Sequence, residues 1–348
     1  MMASRASSNP SGLLLALART AFWMAFLVVL AGSVVRMTGS GMGCPDWPKC
    51  FGLLVPPTEE AQVTWTPGAH YEEGRMLVKN DTLWVAQSGF VARDFDLERT
   101  RGQWQPYLKH DYATFNAAHT WIEFINRLLG ALAGLPAVLL LLAAAWSRDL
   151  RTTLLALLGV LALGFVAWLG KLVVDGNLIP HSITIHMLGA LAILCIDSVI
   201  IQRLRGLSVR WNRSARVGLA LALTVTLAQI LTGTEVREAV DLLLKEGINR
   251  PDLASSLADG QLLYLIHRSG YWMVLATHAF WIWRMGPFGQ AHVLRARNIV
   301  VILLICQLAT GLLFAYGAFS AWAQPIHLIL GLGVFLTSWG LFWRTTSR

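Results

Sequence analysis

Charge is what this sequence has least of. Asp, Glu, Lys and Arg make up 14% of its 348 residues, where an average soluble domain carries roughly 25%. With 55% of positions hydrophobic, there is too little charge to cover a water-facing surface, so an ordinary soluble domain is excluded and lipid is the solvent for most of the chain. A small-residue cleavage site of the A-x-A kind is missing after the first apolar run, residues 13–36, which is also longer than a signal-peptide core. That run reads as a retained helix behind a weakly basic tail with Arg5 and Arg19. A concentrated basic face is lacking as well. The net charge of +8 is spread over alternate short connections, which argues for membrane topology and against a nucleic-acid partner.

What is present is a series of eight apolar runs, roughly 13–36, 117–146, 151–174, 182–202, 215–235, 262–283, 297–320 and 323–343. Each approaches the ~20 residues a helix needs to cross a bilayer. The expected fold is therefore an all-α membrane protein with eight transmembrane helices. An even number of spans puts both termini on one side. Arg148 and Arg151 follow the second run, and Arg203, Arg205, Arg210, Arg213 and Arg216 follow the fourth. Arg284, Arg295 and Arg297 follow the sixth, and Arg344 and Arg348 the eighth. The positive-inside rule makes these connections, and both termini, cytoplasmic. Residues 37–116 and 236–261 then lie outside. The first of these segments holds Gly43-Cys44-Pro45-Asp46-Trp47-Pro48-Lys49-Cys50, and an oxidising exterior favours closing Cys44 and Cys50 into a disulfide over leaving free thiols. Cys195 and Cys306 fall inside apolar runs and read as packing residues.

The chain repeats itself. Residues 117–202 align without a gap on 258–343, placing Arg127 on Arg268, Gly170 on Gly311 and His186 on His327. Gly32-Ser33-Val34-Val35-Arg36 separately matches Gly233-Thr234-Glu235-Val236-Arg237. Four helices per half gives two pseudo-symmetric four-helix bundles in parallel orientation, an amino-terminal half at 1–210 carrying loop 37–116 and a carboxy-terminal half at 211–348. Polar positions that coincide in lipid-facing sequence are rarely accidental.

Ionisable residues in such spans are costly and mark sites. His119, His186, His267, His278 and His327 all fall in or at the edge of spans. His267 and His327 lie at similar depth on the sixth and eighth spans. Two histidines so placed in a bundle can supply both axial ligands of one haem iron, or can be core histidines satisfied by neighbours. His278, about three turns beyond His267, is a weaker ligand candidate. In the first half the repeat-equivalent positions are Asn126 and His186. Asparagine is a poor iron ligand, so a haem there is held by His186 alone, or with His119, which lies about 10 Å nearer the outside.

A second difference separates the halves. Glu123 stands one turn from Asn126 on the same face, where the second half has Tyr264. A glutamate embedded in the membrane is placed to move protons; its i+4 spacing from Arg127 equally suits an ion pair. Arg36, Arg127, Arg237 and Arg268 flank these positions and suit haem propionates by charge and fork geometry, although interfacial snorkelling accounts for Arg36 and Arg237 almost as well.

At this point the residues carry a resemblance. Arg36-Met37-Thr38-Gly39-Ser40-Gly41, followed by the Cys44 to Cys50 string, Glu123-Phe124-Ile125-Asn126-Arg127 and Ile266-His267-Arg268, with a histidine on each of the fourth and eighth spans, resembles the haem A synthase family over nearly the whole chain. The resemblance implies oxidation of the C8 methyl of haem O to a formyl group with water as oxygen source, for cytochrome oxidase assembly. It implies substrate haem in the first half beside an essential Glu123, a permanent haem b between His267 and His327, and an external cysteine pair at Cys44 and Cys50. Asn126 departs from the family, many of whose members have histidine there. On this reading electrons leave the substrate methyl toward the second haem while Glu123 accepts a proton or positions water, and two rounds give a geminal diol that loses water to the aldehyde. Expected partners are haem O, a haem O-forming prenyltransferase, a quinone or another electron acceptor, and the lipids of a bacterial plasma (inner) membrane. Three other roles compete. A b-type cytochrome relaying electrons to or from quinone explains the histidines but not Glu123, and a haem carrier needs no buried acid. The prenyltransferase itself needs acidic clusters for magnesium-diphosphate, and the spans offer only isolated acids such as Asp197.

Overall fold

Inside a bilayer every backbone N–H and C=O must find its partner within the segment, so uninterrupted apolar runs fold as helices. The structure, a computed structural model, describes residues 10–93, 102–108, 114–176, 181–206, 208–209, 211–286, 290–317 and 319–344; Arg5, Arg210 and Arg348 lie outside them. Its helices are α1 (Pro10–Thr38), α2 (Ala117–Trp146), α3 (Leu150–Asp175), α4 (Ser182–Arg205), α5 (Arg213–Lys245), α6 (Leu253–Gly260), α7 (Leu262–Met285), α8 (Ala291–Tyr316) and α9 (Ala323–Phe342). Seven of these described helices, all but α6 and α7, are long and apolar enough to cross a membrane, and the chain is a multi-pass membrane protein. The remaining expected span is α7. It has the length, at 24 residues, but His267, Arg268, Ser269, Tyr271 and His278 interrupt its apolar character.

The fifth helix outruns its expected end. Residues 236–261 read from the sequence as an external connection, yet α5 continues to Lys245 and α6 follows. The reason is packing: Val236 and Val240, one turn apart, bury against Leu253 and Leu257, with Tyr264 and Phe319 completing the cluster. An i, i+4 apolar pair on each helix is enough to turn a polar-looking stretch into helix.

The chain divides into two compact units, Ala31–Ala131 with Val166–Ser182, and Met1–Leu30 with Leu132–Phe165 and Ile183–Arg348. In the first, the polar segment builds a small antiparallel core. β1 (His70–Tyr71) pairs with β4 (Phe90–Val91), and β2 (Met76–Lys79), β3 (Thr82–Ala86) and β5 (Trp104–Pro106) form a sheet in the order β2-β3-β5. Asn80 and Asp81 both take positive φ, 51° and 54°, the backbone that a tight two-residue hairpin between Lys79 and Thr82 requires and that these residue types tolerate. Phe51, Val63, Met76 and Leu83 bury against the bonded Cys44–Cys50 pair, and Trp65, Tyr71, Phe90 and Trp104 interlock in a second cluster. The expected disulfide is formed, with Cα atoms 4.9 Å apart.

In the other unit, Ala18, Ala144 and Ala156 are buried with Leu14, Leu140 and Ile200, so small residues bring α1, α2, α3 and α4 close. Asp149, between α2 and α3, accepts from Thr152 Oγ1 at 2.7 Å and from Arg203 at 2.9 Å. The Thr152 hydroxyl, with Arg203 adding to it, holds the Asp149 carboxyl below the usual carboxylate range. Further along the chain α5 packs on α7 and α9, and α8 on α9 and α7. Cys306 faces outward from α8 as a free thiol, so its expected packing role does not hold, and Cys195 is half-buried on α4.

Candidate functional site

The first constellation sits where the disulfide loop rests on α2. One face of the helix presents Thr120, Glu123 and Arg127 at i, i+3 and i+7. Thr120 Oγ1 donates to the Gly43 carbonyl at 2.9 Å, and the Cys44 N–H donates to Glu123 Oε2 at 2.9 Å. Arg127 pairs with Glu123 Oε1 and donates to the carbonyls of Asp46 at 2.6 Å, Cys44 at 3.2 Å and Lys49 at 3.3 Å. The i+4 ion pair is thus made, and the guanidinium serves the loop as well. The backbone approach is close enough to require glycine: a Cβ on Gly43 would stand 2.5 Å from the His119 backbone. His119 itself is half-buried.

Two polar groups beside this contact escape a simple pattern search. Asp46 accepts from the Gly52 N–H at 2.9 Å; burial pushes its carboxyl up from the usual range, with the Gly52 and Phe51 N–H groups and Arg127 opposing. Asn126 has its Oδ1 buried with no hydrogen-bond partner among the described residues. A Cβ on Gly32 would lie 3.7 Å from that oxygen. Arg36 is half-buried at the end of α1.

The second constellation lies on α5, α7, α8 and α9. His267 and His327 face each other with ring centroids 6.3 Å apart and planes at 66°. Histidine N–metal bonds of about 2.0–2.1 Å put the centroids of two trans imidazoles roughly 6 Å apart, so the spacing fits one metal ion between them. Thr232 Oγ1 lies 3.2 Å from His267 Nδ1, and Thr310 Oγ1 lies 2.8 Å from His327 Nδ1. Gln307 Nε2 is 2.9 Å from His327 Nε2, while the Gln229 amide donates to the His267 carbonyl. Both polar atoms of Gln324, one turn before His327, are buried with no partner among the described residues. A Cβ on Gly233 would meet His267 Cε1 at 2.8 Å. The repeat-equivalent pairs Gly32 with Asn126 and Gly233 with His267 therefore oppose each other in the same way, with different side chains at the second position.

The other expected residues are placed as follows. His186 is half-buried on α4, two residues from Thr184, which bonds Thr234 and Glu235 of α5. Tyr264 is buried where Glu123 has its equivalent. Arg237 pairs with Asp241 at 2.6 Å, and Arg268 is exposed on α7. His278 is buried, bonded through Nδ1 to the Val274 carbonyl at 2.9 Å with Ser338 near Nε2, so it is a satisfied core histidine. Sequence reasoning missed Gln229, Thr232, Gln307 and Thr310. Their signal is a Gln-x-x-Thr-Gly string occurring at 229–233 and again at 307–311, within one half, where a search between halves does not look.

Comparison with known proteins identifies a family for the chain. The model of the family COX15-CtaA, described as cytochrome oxidase assembly protein, matches residues 16–77 and 88–339. The haem A synthase of Shewanella oneidensis is 25% identical over 215 residues, covering 60% of this chain and 52% of that protein. The haem A synthase of Erythrobacter litoralis is 26% identical over 367 aligned residues, 96% of this chain and 98% of that protein. The chain thus spans about half of the first relative and nearly all of the second. No solved structure matches it significantly.

Proposed function

The chain belongs to the cytochrome oxidase assembly protein family COX15-CtaA, and on that premise we propose that it is a haem A synthase that oxidises the C8 methyl of haem O to a formyl group with water as oxygen source. The observation that carries the proposal is the unequal furnishing of two equivalent places. One holds two imidazoles at the spacing for a single iron. The other holds a buried carboxylate next to an amide that cannot replace an imidazole.

The fuller reading takes α7 as an eighth span. The chain then forms two four-helix halves, 1–210 and 211–348, in a bacterial plasma (inner) membrane with both termini cytoplasmic. His267 and His327 would hold haem b, and their donor chemistry fits it: two imidazoles with ring centroids 6.3 Å apart, and the buried Gln324 amide one turn before His327. When bound, that haem supplies one-electron redox chemistry. On the sequence reading haem O goes with the first half, with His186 and Asn126 as its expected residues. Arg36, Arg237 and Arg268 remain the propionate candidates. Arg127 stays among the substrate-haem candidates, while four of its five N–H donors go to Glu123 and the carbonyls of Asp46, Cys44 and Lys49.

Glu123 is the base in this scheme. Arg127 and the Cys44 N–H fix its orientation, and each carboxylate oxygen keeps a lone pair beyond those bonds. It can therefore take the proton released as water adds at the methyl carbon. The methyl-to-formyl change removes two electron pairs, which must reach an acceptor; a quinone fits that need, and a haem O-forming prenyltransferase fits the supply side. The test is product analysis. Membranes containing the chain and supplied with haem O should yield haem A on extraction, and recovery of haem O alone would refute the activity.

A smaller prediction arises from the two glycines. Gly233→Ala should displace His267 and weaken the low-spin haem spectrum several-fold or more, since its Cβ would stand 2.8 Å from the imidazole. Gly32→Ala should be tolerated, because 3.7 Å from Asn126 Oδ1 is ordinary contact. Equal spectra for the two variants would contradict the geometry.

A further inference from the structure

Thr232 and Thr310 occupy the same position in the two Gln-x-x-Thr-Gly strings, each one residue before a glycine that faces an imidazole. A threonine hydroxyl has one hydrogen to donate. Thr310 Oγ1 is 2.9 Å from the Gln307 carbonyl and 3.2 Å from that of Cys306, and Thr232 Oγ1 is 3.1 Å from the Gln229 carbonyl. With that hydrogen turned back into its own helix, each hydroxyl oxygen is left to accept, and its remaining neighbour is a histidine Nδ1 at 2.8 Å or 3.2 Å.

We propose that Thr232 and Thr310 are positioning residues that lock His267 and His327 as the Nδ1–H tautomers, presenting both Nε2 lone pairs to one haem iron. This rests on the reading of the histidine pair as a haem site. A ligating histidine commonly donates its other ring N–H to an oxygen acceptor that fixes ring orientation and raises ligand basicity. The structure supplies one such acceptor for each ring. The amino-terminal half does not repeat the device. The positions aligned with Thr232 and Thr310 are Ala31 and Leu169, and those aligned with Gln229 and Gln307 are Val28 and Val166. Neither alanine nor leucine offers an acceptor. The hydroxyl device thus belongs to the half with the fixed cofactor and is missing from the half whose haem must arrive and leave.

The experiment uses the full chain purified with its bound haem, comparing Thr232→Val and Thr310→Val with Thr232→Ser and Thr310→Ser. Valine keeps the shape and removes the acceptor; serine keeps the acceptor. Two quantities are read, the affinity for haem in competition with a haem-scavenging apoprotein, and the reduction potential by optical titration. The valine variants should bind haem about 10- to 100-fold more weakly and show a raised potential, because a less basic imidazole stabilises the ferric state less. The serine variants should return toward wild type in both. Should a valine variant fail to accumulate, alanine read against serine at the same position makes the same comparison. Valine variants matching wild type in affinity and potential would overturn the inference. Absence of low-spin haem from the wild-type protein would instead overturn the reading beneath it.

Discussion

Replacing His267 or His327 with alanine is expected to abolish the low-spin haem absorption of the purified protein and, with it, haem A formation. In the proposed site each imidazole would supply one of two axial positions, and the ring centroids stand 6.3 Å apart. His278, on the same helix as His267, is already committed to Val274. The two variants should therefore be equally severe, since losing either ligand leaves a five-coordinate site with a different spectrum. His278→Ala provides the contrast. It should cost stability through the loss of a buried side chain while leaving the spectrum of the surviving protein unchanged. A low-spin spectrum persisting in both ligand variants would remove the cofactor assignment.

The second large effect concerns Glu123. Glu123→Gln preserves the side-chain shape and an oxygen for the Cys44 N–H but removes the base. A positioned acid or base contributes about 10²- to 10⁴-fold, so turnover should fall by at least about 100-fold with haem content retained. Glu123→Ala should do more. It leaves Arg127, whose side chain is 14% exposed, without its carboxylate; stranding one partner of a buried ion pair typically costs about 3–5 kcal/mol. Arg127 also ties down the carbonyls of Cys44, Asp46 and Lys49. The alanine variant should therefore loosen the disulfide loop, seen as faster proteolysis around 44–50, where the glutamine variant does not. Equal turnover in wild type and Glu123→Gln would show that the acid has only a structural task.

Much of this was readable in the sequence because membrane burial leaves few polar residues to interpret. The apolar runs gave six of the eight expected helices to within three residues, α5 and α8 being the exceptions, and the internal alignment singles out Asn126 against His267 and Glu123 against Tyr264. What stayed hidden depended on contacts between distant segments. The role of Arg127 could not be chosen from spacing alone: i+4 from Glu123 is compatible with pairing, but the three loop carbonyls come from residues 44–49, about 80 positions away. The continuation of α5 to Lys245 was obscured by Arg237, Glu238 and Asp241, which look like loop until α6 buries Val236 and Val240. The two small sheets between residues 70 and 106 consist of two- to five-residue strands, too short for alternation to be legible. Thr232 and Thr310 passed as ordinary span residues because a hydroxyl bonded to its own helix needs no partner elsewhere.

The central claim is that the amino-terminal half performs chemistry on a haem while the carboxy-terminal half keeps one. Haem extracted from matched membranes holding the wild-type chain or Glu123→Gln, both supplied with haem O and both assayed for bound haem b, tests it directly. The account predicts haem A from the wild type, haem O without haem A from Glu123→Gln, and the same haem b in each. Haem A in equal yield from both, or none from either despite full haem b, would contradict it.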